Sequence, residues 1–271
     1  MMVAPFRFRR LVMVSLFAAT TFTVACSKLT EANPTVNRYG AVNITARGSS
    51  ASSASASATV IFFEAFSAAV PSSVLQATDQ CAYSTVDTTK SFPSGVKKAG
   101  DQVTLSIGAN TVTLPYESGL FRYANVATSP FTYRSGDAVV ANIPGSTDGF
   151  PSASISVRLA ETLIPGAVAI PAPGAPLAVT WNASTDTTAA ILLSLRYNNP
   201  TTSSYPNEQI YCSLKDDGKF DIPASGLTAF LAAPNASRSL RMTRWRTRES
   251  LLDPKTMLHI ATSIDTTVKF P

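Results

Sequence analysis

The chain has 271 residues, of which 45% are hydrophobic and only 14% charged, with a formal net charge of +5 at pH 7. Three arginines and no acidic residue fall within residues 1–25, so the rest of the chain carries only +2. So small a charge excludes the strong electrostatic attraction behind non-specific nucleic-acid binding, and we expect no nucleic-acid partner. Few charges and abundant Thr, Ser, Val and Pro predict an all-β fold.

The first 26 residues have the pattern of an export signal. Arginines precede an uncharged apolar run over residues 11–25, which is shorter than the roughly 20 residues of a membrane-spanning helix. The run ends in Thr23-Val24-Ala25-Cys26, which resembles the lipobox of bacterial lipoproteins. That resemblance implies cleavage before Cys26, lipid on Cys26, and a protein held to a membrane on the periplasmic side or cell surface. The alternatives are an ordinary secretory signal and an uncleaved anchor. The arginines are Arg7, Arg9 and Arg10.

Two further cysteines remain once Cys26 is assigned to lipid. Cys81 and Cys212 are an even pair in an oxidising compartment, which predicts one disulfide across 131 positions. Two independently buried thiols are the alternative. The bond would tie the early half of the chain to the late half.

The middle of the chain is punctuated by low-complexity and Pro-rich segments. Ser and Ala dominate residues 48–58, which predicts a flexible coil, and prolines recur in residues 165–176, which predicts an extended linker. The predicted organisation is therefore a signal (1–25), a lipid-anchored tether (26–58), a β-sandwich domain (59–164), a Pro-rich linker (165–176) and a second β-sandwich domain (177–271).

Short strands with turn signals between them fill both halves. Residues 103–107 and 110–114 alternate apolar with polar about a Gly-Ala link, which predicts a hairpin. The second half has Trp181 in an early strand and resembles immunoglobulin-like or fibronectin-like domains, so the resemblance implies a β-sandwich. One larger sandwich, stapled through Cys81, is the alternative to two domains.

Groups suited to catalysis are scarce. His259 is the single histidine, and its alternating neighbours place it on one face of a terminal strand, so we predict no catalytic residue, no metal site and no cofactor. Asp216-Asp217-Gly218 is interpreted as a hairpin turn rather than a calcium site. The scattered acids, such as Asp148, Glu161 and Asp186, show no spacing typical of a paired-carboxylate glycosidase.

One cluster of cations stands out near the end of the chain. Strand alternation predicts that Arg244, Arg246 and Arg248 share one face, with Arg241 and Trp245 on the other. Arginine binds carboxylate or phosphate in a planar fork, so the cluster is predicted to bind a protein partner with an acidic surface, with lipid headgroups or an anionic glycan as alternatives. The alternative is a solvated edge strand whose charges resist aggregation. The predicted partner-binding residues are Arg238, Arg241, Arg244, Trp245, Arg246 and Arg248.

The function these features favour is a non-catalytic, lipid-anchored exported protein that serves as an interaction or scaffold subunit at the outer face of a membrane. A respiratory or photosynthetic membrane complex is one concrete setting. The alternatives are a cell-surface module that binds glycan or matrix, and an unrecognised hydrolase. An exposed aromatic platform would serve the glycan-binding module. Its residues would be Tyr116, Phe121, Tyr123 and Tyr133.

Overall fold

The computed structural model describes residues 36–47, 53–64, 77–85, 95–125, 131–198 and 208–268. The predicted signal and the lipidation site Cys26 lie outside these residues. Fifteen strands, one short α-helix and two 3-10 helices make up the regular structure of the described ranges, so the predicted all-β class is confirmed. The helix α1 spans Thr228–Ala232. The strands are β1 Arg38–Arg47, β2 Ser53–Glu64, β3 Gln80–Thr85, β4 Gln102–Ile107, β5 Asn110–Glu117, β6 Arg122–Ala124, β7 Phe131–Arg134, β8 Ala138–Ile143, β9 Ala153–Arg158, β10 Leu177–Thr180, β11 Ala190–Tyr197, β12 Glu208–Lys215, β13 Lys219–Ile222, β14 Ser239–Asp253 and β15 Thr256–Val268.

One extended sheet organises the described chain. Its strands follow the order β3-β12-β11-β14-β15-β1-β2-β6-β5-β4-β8-β9, and β7 also pairs with β2. The sheet folds back on itself, because β9 lies against the long strands: Arg248 Nη1 donates to Ser156 O at 3.2 Å, and Thr262 Oγ1 donates to Arg158 O at 2.9 Å. The small β10–β13 ribbon adds to the second layer. The result is sandwich-like, with one core between the layers.

Strand alternation explains which side chains enter that core. In β1 the residues Val42, Ile44 and Ala46 are buried, and their neighbours in sequence point to the other face. Residues directly opposite in the ladder share a face, so the same pattern continues across the central strands. Each long strand therefore has an inner face in the core and an outer face.

The flexible tether predicted for residues 26–58 is wrong for residues 38–47 and 53–58, which form strands in the middle of the sheet, where the sequence indicated only a stray strand at residues 41–46. β1 pairs in parallel with β15 and antiparallel with β2 over nearly its full length. The Ser/Ala segment alternates with period two, so Ala56 and Ala58 are buried while Ser55 and Ser57 are exposed. Small side chains offer little apolar area, but ladder hydrogen bonds on both sides hold the segment in place.

The predicted boundary at 165–176 does not separate two sheets. Residues 34–271 form one compact unit, and β3 from the first half pairs with β12 from the second. The Pro-rich segment instead folds back on the body: Gly166 N donates to Thr180 O at 2.8 Å, and Pro165 bridges to Trp181. The alternative of one larger sandwich is therefore the arrangement observed.

Several local predictions are confirmed. Cys81 and Cys212 lie directly opposite each other in the β3–β12 ladder and form a disulfide. β4 and β5 make the predicted hairpin, with Ile107 opposite Asn110 and a two-residue link. No helix in the described ranges is long and apolar enough to cross a membrane.

Candidate interaction site

The arginine cluster lies on β14 and just before it, and the predicted alternation of faces is correct. Arg244, Arg246 and Arg248 point to the inner face, toward the chain segment 156–188, whereas Arg241 points to the outer face beside Asp265. The sequence could not show that other parts of the chain cover the inner face. Three of the five arginines therefore contact other parts of this chain.

Arg244 is fully buried, with a side chain 0% exposed. Its guanidinium makes a forked pair with the Asp216 carboxylate, Nε to Oδ2 at 2.6 Å and Nη2 to Oδ1 at 3.0 Å, and donates to the carbonyls of Thr162 and Asn182. Asp216 Oδ1 also accepts from Trp181 Nε1 at 2.8 Å. The guanidinium is therefore engaged in contacts within the chain. These contacts are needed because a buried charge is tolerated only when it is paired and hydrogen-bonded.

The remaining arginines are also engaged by this chain. Arg246 pairs with Asp186 and its side chain is only 12% exposed, Arg241 pairs with Asp265, and Arg238 donates to the carbonyl of Leu231. The prediction of one exposed positive patch on Arg238, Arg241, Arg244, Arg246 and Arg248 is therefore wrong. Arg241, Arg244 and Arg246 are neutralised by acids from distant positions, and Arg248 donates to the carbonyl and hydroxyl of Ser156.

The acids of these pairs are held by short local contacts. Burial alone would raise the pKa of Asp186, but hydrogen bonds from Thr188 and the charge of Arg246 outweigh it and lower that pKa. Burial likewise opposes ionisation of Glu161, and hydrogen bonds from Thr185 lower its pKa below the ordinary range. Both carboxylates therefore hold local backbone and side-chain contacts, Glu161 with Thr185 and Asp186 with Thr188 and Arg246.

His259 lies on the outer face of β15 and is buried, 6% exposed. Its ring stacks on Tyr39 with centroids 6.3 Å apart, and its Nδ1 lies 3.5 Å from Glu249 Oε1, too far for a strong hydrogen bond. Burial lowers the pKa of His259, and the nearby Glu249 charge only partly opposes this. Burial together with Glu249 raises the pKa of Tyr39 to about 12. No Ser or Cys nucleophile contacts the imidazole among the described contacts.

The outer face carries an apolar row that crosses five chain segments. Register places Leu251 opposite Met257, Met257 beside Tyr39, and Tyr39 opposite Phe63. An isolated bridge from Phe63 then adds Val96. Leu251 is 51% exposed, the other four are half-buried, and the Tyr39 and Phe63 rings are 5.1 Å apart. We call these five residues the apolar row.

Smaller and more polar rows follow the apolar row along the strands. The next holds Glu249, His259, Ala41 and Ile61, and a later one holds Trp245, Ser263, Thr45 and Ser57. Trp245, one of the predicted partner-binding residues, is buried at 8% exposed, and its Nε1 has no hydrogen-bond partner in the described part of the chain. Four strands at about 4.8 Å spacing and about 3.3 Å per residue give a face roughly 19 Å by 40 Å.

The predicted aromatic platform does not form. Tyr123 and Tyr133 are each 1% exposed, and their hydroxyls hydrogen-bond to the backbone of Gly100 and Ala160. Phe121 is the only exposed member of the four, 56% exposed at a turn with positive φ, and Tyr116 packs against Tyr123. The three tyrosines therefore pack in or against the core, and the four residues present no common surface.

In the described ranges, no group of three or more His, Cys, Asp or Glu side chains is arranged to hold a metal ion. The Asp216-Asp217-Gly218 segment is a turn that links β12 to β13, with Gly218 at φ 97°, but β13 pairs with β10 and β12 belongs to the large sheet, so the predicted hairpin is wrong. Asp216 faces Arg244 instead of an ion.

Comparisons with protein-family models, with curated proteins and with solved structures give no match for this chain. The apolar row is the feature that sequence reasoning missed. Each strand shows a single half-buried apolar residue at this level, and only the register across β14, β15, β1 and β2 brings them together.

Proposed function

We propose that this chain is an exported, lipid-anchored, non-catalytic protein whose outer sheet face binds a protein partner at a membrane. The observation that carries the proposal is the apolar row of Leu251, Met257, Tyr39, Phe63 and Val96 on the outer face of the sheet. Tyr, Phe and Met are enriched at the cores of protein interfaces. The partner is expected to present a complementary apolar patch.

The charges near the row are balanced rather than basic. Arg38 pairs with Asp253 at 3.7 Å and Lys97 with Glu64 at 3.1 Å, while Glu249 faces the neutral imidazole of His259. A balanced rim offers little attraction to a strongly acidic surface, so the partner's apolar contacts supply the binding energy. This replaces the arginine cluster as the proposed contact surface.

The position of the row relative to the chain start supports an orientation. β1 begins at Arg38, immediately before Tyr39 of the row, and Cys26 precedes Arg38 by 12 positions. A chain of that length spans at most about 43 Å. A lipid on Cys26 would therefore keep the row close to the membrane, where a membrane-embedded partner is accessible.

The contact surface is tested by co-purification of the tagged full chain from membranes in mild detergent. We expect one membrane protein to co-purify in near-stoichiometric amount, and Leu251→Glu to reduce its yield at least tenfold because a carboxylate would be buried at the interface. Phe121→Glu is the matched control, since Phe121 is 56% exposed and lies at a turn away from the row. Wild-type protein that runs alone, or equal loss in both variants, would contradict the proposed surface.

The anchor is tested separately by metabolic labelling with a fatty acid. Cys26→Ser is expected to abolish the label and to move the protein from the membrane to the soluble fraction. A label that persists in Cys26→Ser, or wild-type protein without label, would overturn the lipid anchor while leaving the contact surface to stand on its own test.

A further inference from the structure

A polar cleft opens at the end of the sheet where β1 begins. Its volume is about 340 Å³, within the range of roughly 300–1,000 Å³ that small-molecule sites occupy. Every residue that lines it is polar, charged or glycine, in contrast to the apolar row beside it. The lining residues are Asn37, Arg38, Glu64, Thr147, Asp148, Gly149 and Lys255.

Backbone hydrogen bonds build one wall of the cleft from the start of β1 and the β14–β15 turn. The amides of Asn37 and Arg38 both donate to the carbonyl of Lys255, at 2.8 and 2.9 Å. Lys255 N in turn donates to Asp253 Oδ1 at 2.8 Å, which fixes the turn. The cationic side chains of Arg38 and Lys255 therefore extend from backbone that these hydrogen bonds hold in place.

The facing wall is the tight turn at residues 146–149. Phe150 N donates to Lys98 O and Ser146 N to Phe150 O, each at 3.0 Å. Gly149 approaches the chain so closely that a Cβ there would lie 1.9 Å from Lys98 O, so no other residue fits without moving the turn. Asp148 thus projects from a turn that packing and hydrogen bonds hold in place.

The charges of the cleft are only partly matched within the chain. Glu64 pairs with Lys97 at 3.1 Å, and Arg38 has a long contact of 3.7 Å with Asp253. Lys255 and Asp148 take part in none of the ion pairs among the described residues. The cleft therefore holds an unpaired cation on one wall and an unpaired anion on the other.

We propose that this cleft binds a small zwitterion that carries an ammonium group and a phosphate group. Lys255 and Arg38 contact the phosphate, and Asp148, supported by Glu64, contacts the ammonium. A ligand with both charges satisfies both walls at once, whereas a singly charged ligand leaves one wall unmatched. The inference stands independently of the partner surface. Because the cleft is open to water, the dissociation constant is expected to be on the order of 1 mM.

Titration of the full chain with phosphoethanolamine, followed by NMR or calorimetry, tests the site. The matched single-charge probes are ethanolamine and methyl phosphate, and each is expected to bind at least tenfold more weakly. Asp148→Asn and Lys255→Gln should each weaken phosphoethanolamine binding at least tenfold. Asp217→Asn and Lys219→Gln, at the distant β12–β13 turn, change the same charges and should leave it unchanged.

A second arm separates a free ligand from a lipid headgroup. Vesicles of phosphatidylcholine alone and vesicles with half phosphatidylethanolamine are compared for wild type and Asp148→Asn, so that any binding by the N-terminal apolar run cancels. An ethanolamine-dependent difference between the two proteins identifies the lipid source, and soluble binding without it identifies a free ligand. Equal affinity for phosphoethanolamine and either single-charge probe, or an unchanged Asp148→Asn variant, would overturn the proposal.

Discussion

Arg244 and Asp216 form an ion pair that is closed off from water, with side chains 0% and 3% exposed and Nε 2.6 Å from Oδ2. The pair joins β14 to the β12–β13 turn, and the guanidinium reaches on to the carbonyls of Thr162 and Asn182. Residues 159–182 cover the inner face of β14, and we call them the covering segment. The pair and these hydrogen bonds therefore hold the covering segment against the central sheet. The partners of Arg244 are 28 to 82 positions distant in sequence.

Removing one member of this pair leaves the other as an uncompensated buried charge. Asp216→Ala is expected to lower the free energy of unfolding by about 3–5 kcal/mol. Asp217→Ala is the matched control, because the neighbouring carboxylate is exposed and should change stability by less than about 0.5 kcal/mol. Urea unfolding measures both. Similar small losses in the two variants would show that the pair does not hold the covering segment.

A close approach in the core predicts a second effect. Gly40 lies on the inner face of β1, where an added Cβ would be 2.8 Å from both Phe150 Cζ and Phe62 Cδ1 and 2.9 Å from Leu258 Cδ1. Three buried side chains would have to move together, so Gly40→Ala should cost about 1–3 kcal/mol of unfolding free energy. Gly119→Ala, which meets nothing within 4 Å, is the control. A thermal melt that shows no difference between the two would contradict the packing described.

The single histidine gives a direct test of burial on the outer face. Because the folded pKa of His259 lies below 6.5, the unfolded chain takes up a proton near pH 6.5 that the folded chain does not. Its contribution to stability is therefore complete above pH 6.5 and is lost as pH falls from 6.5 toward the folded pKa. The imidazole proton resonance should titrate with a midpoint below 6.5, and His259→Gln should remove this part of the pH dependence. A midpoint at or above 6.5 would contradict the burial.

The disulfide predicts a loss of stability that depends on the length of chain it closes. Cys81 and Cys212 are 131 positions apart, and the chain-entropy argument gives about 4–5 kcal/mol for such a loop. The Cys81→Ser and Cys212→Ser double variant should therefore unfold at markedly lower denaturant concentration. Mass mapping without reductant should show the Cys81–Cys212 peptide pair. Free thiols at both positions in the native protein would refute the pairing.

How far the sequence predicted this structure depends on the range of the interaction. Alternation within a strand is local, and it correctly placed the β4–β5 hairpin and the faces of Arg241 and Arg244. The same alternation is present in Ser55 to Ala58, but composition suggested a coil because burial of alanine is invisible without its neighbours. Local pattern therefore identified strands whose alternation includes large apolar residues, and it failed where the buried residues are alanines.

The apolar row could not be predicted from the sequence for the same reason. Leu251, Tyr39 and Phe63 come from separate strands, and a parallel pairing of β1 with β15 brings the chain's beginning beside its end. The carboxylates that neutralise Arg244 and Arg246 likewise arrive from loops 28 and 60 positions away. Charge counting along a strand therefore overstated the positive patch.

The central claim, a partner bound on the outer face, is tested most directly by photo-crosslinking in intact membranes. A photoreactive residue at position 251 samples the apolar row, and the same residue at position 121 samples an equally exposed turn elsewhere. The account predicts one discrete adduct with a membrane protein from position 251, none from position 121, and loss of the first adduct when Met257→Glu is added. No adduct from position 251, or the same adducts from both positions, would contradict it.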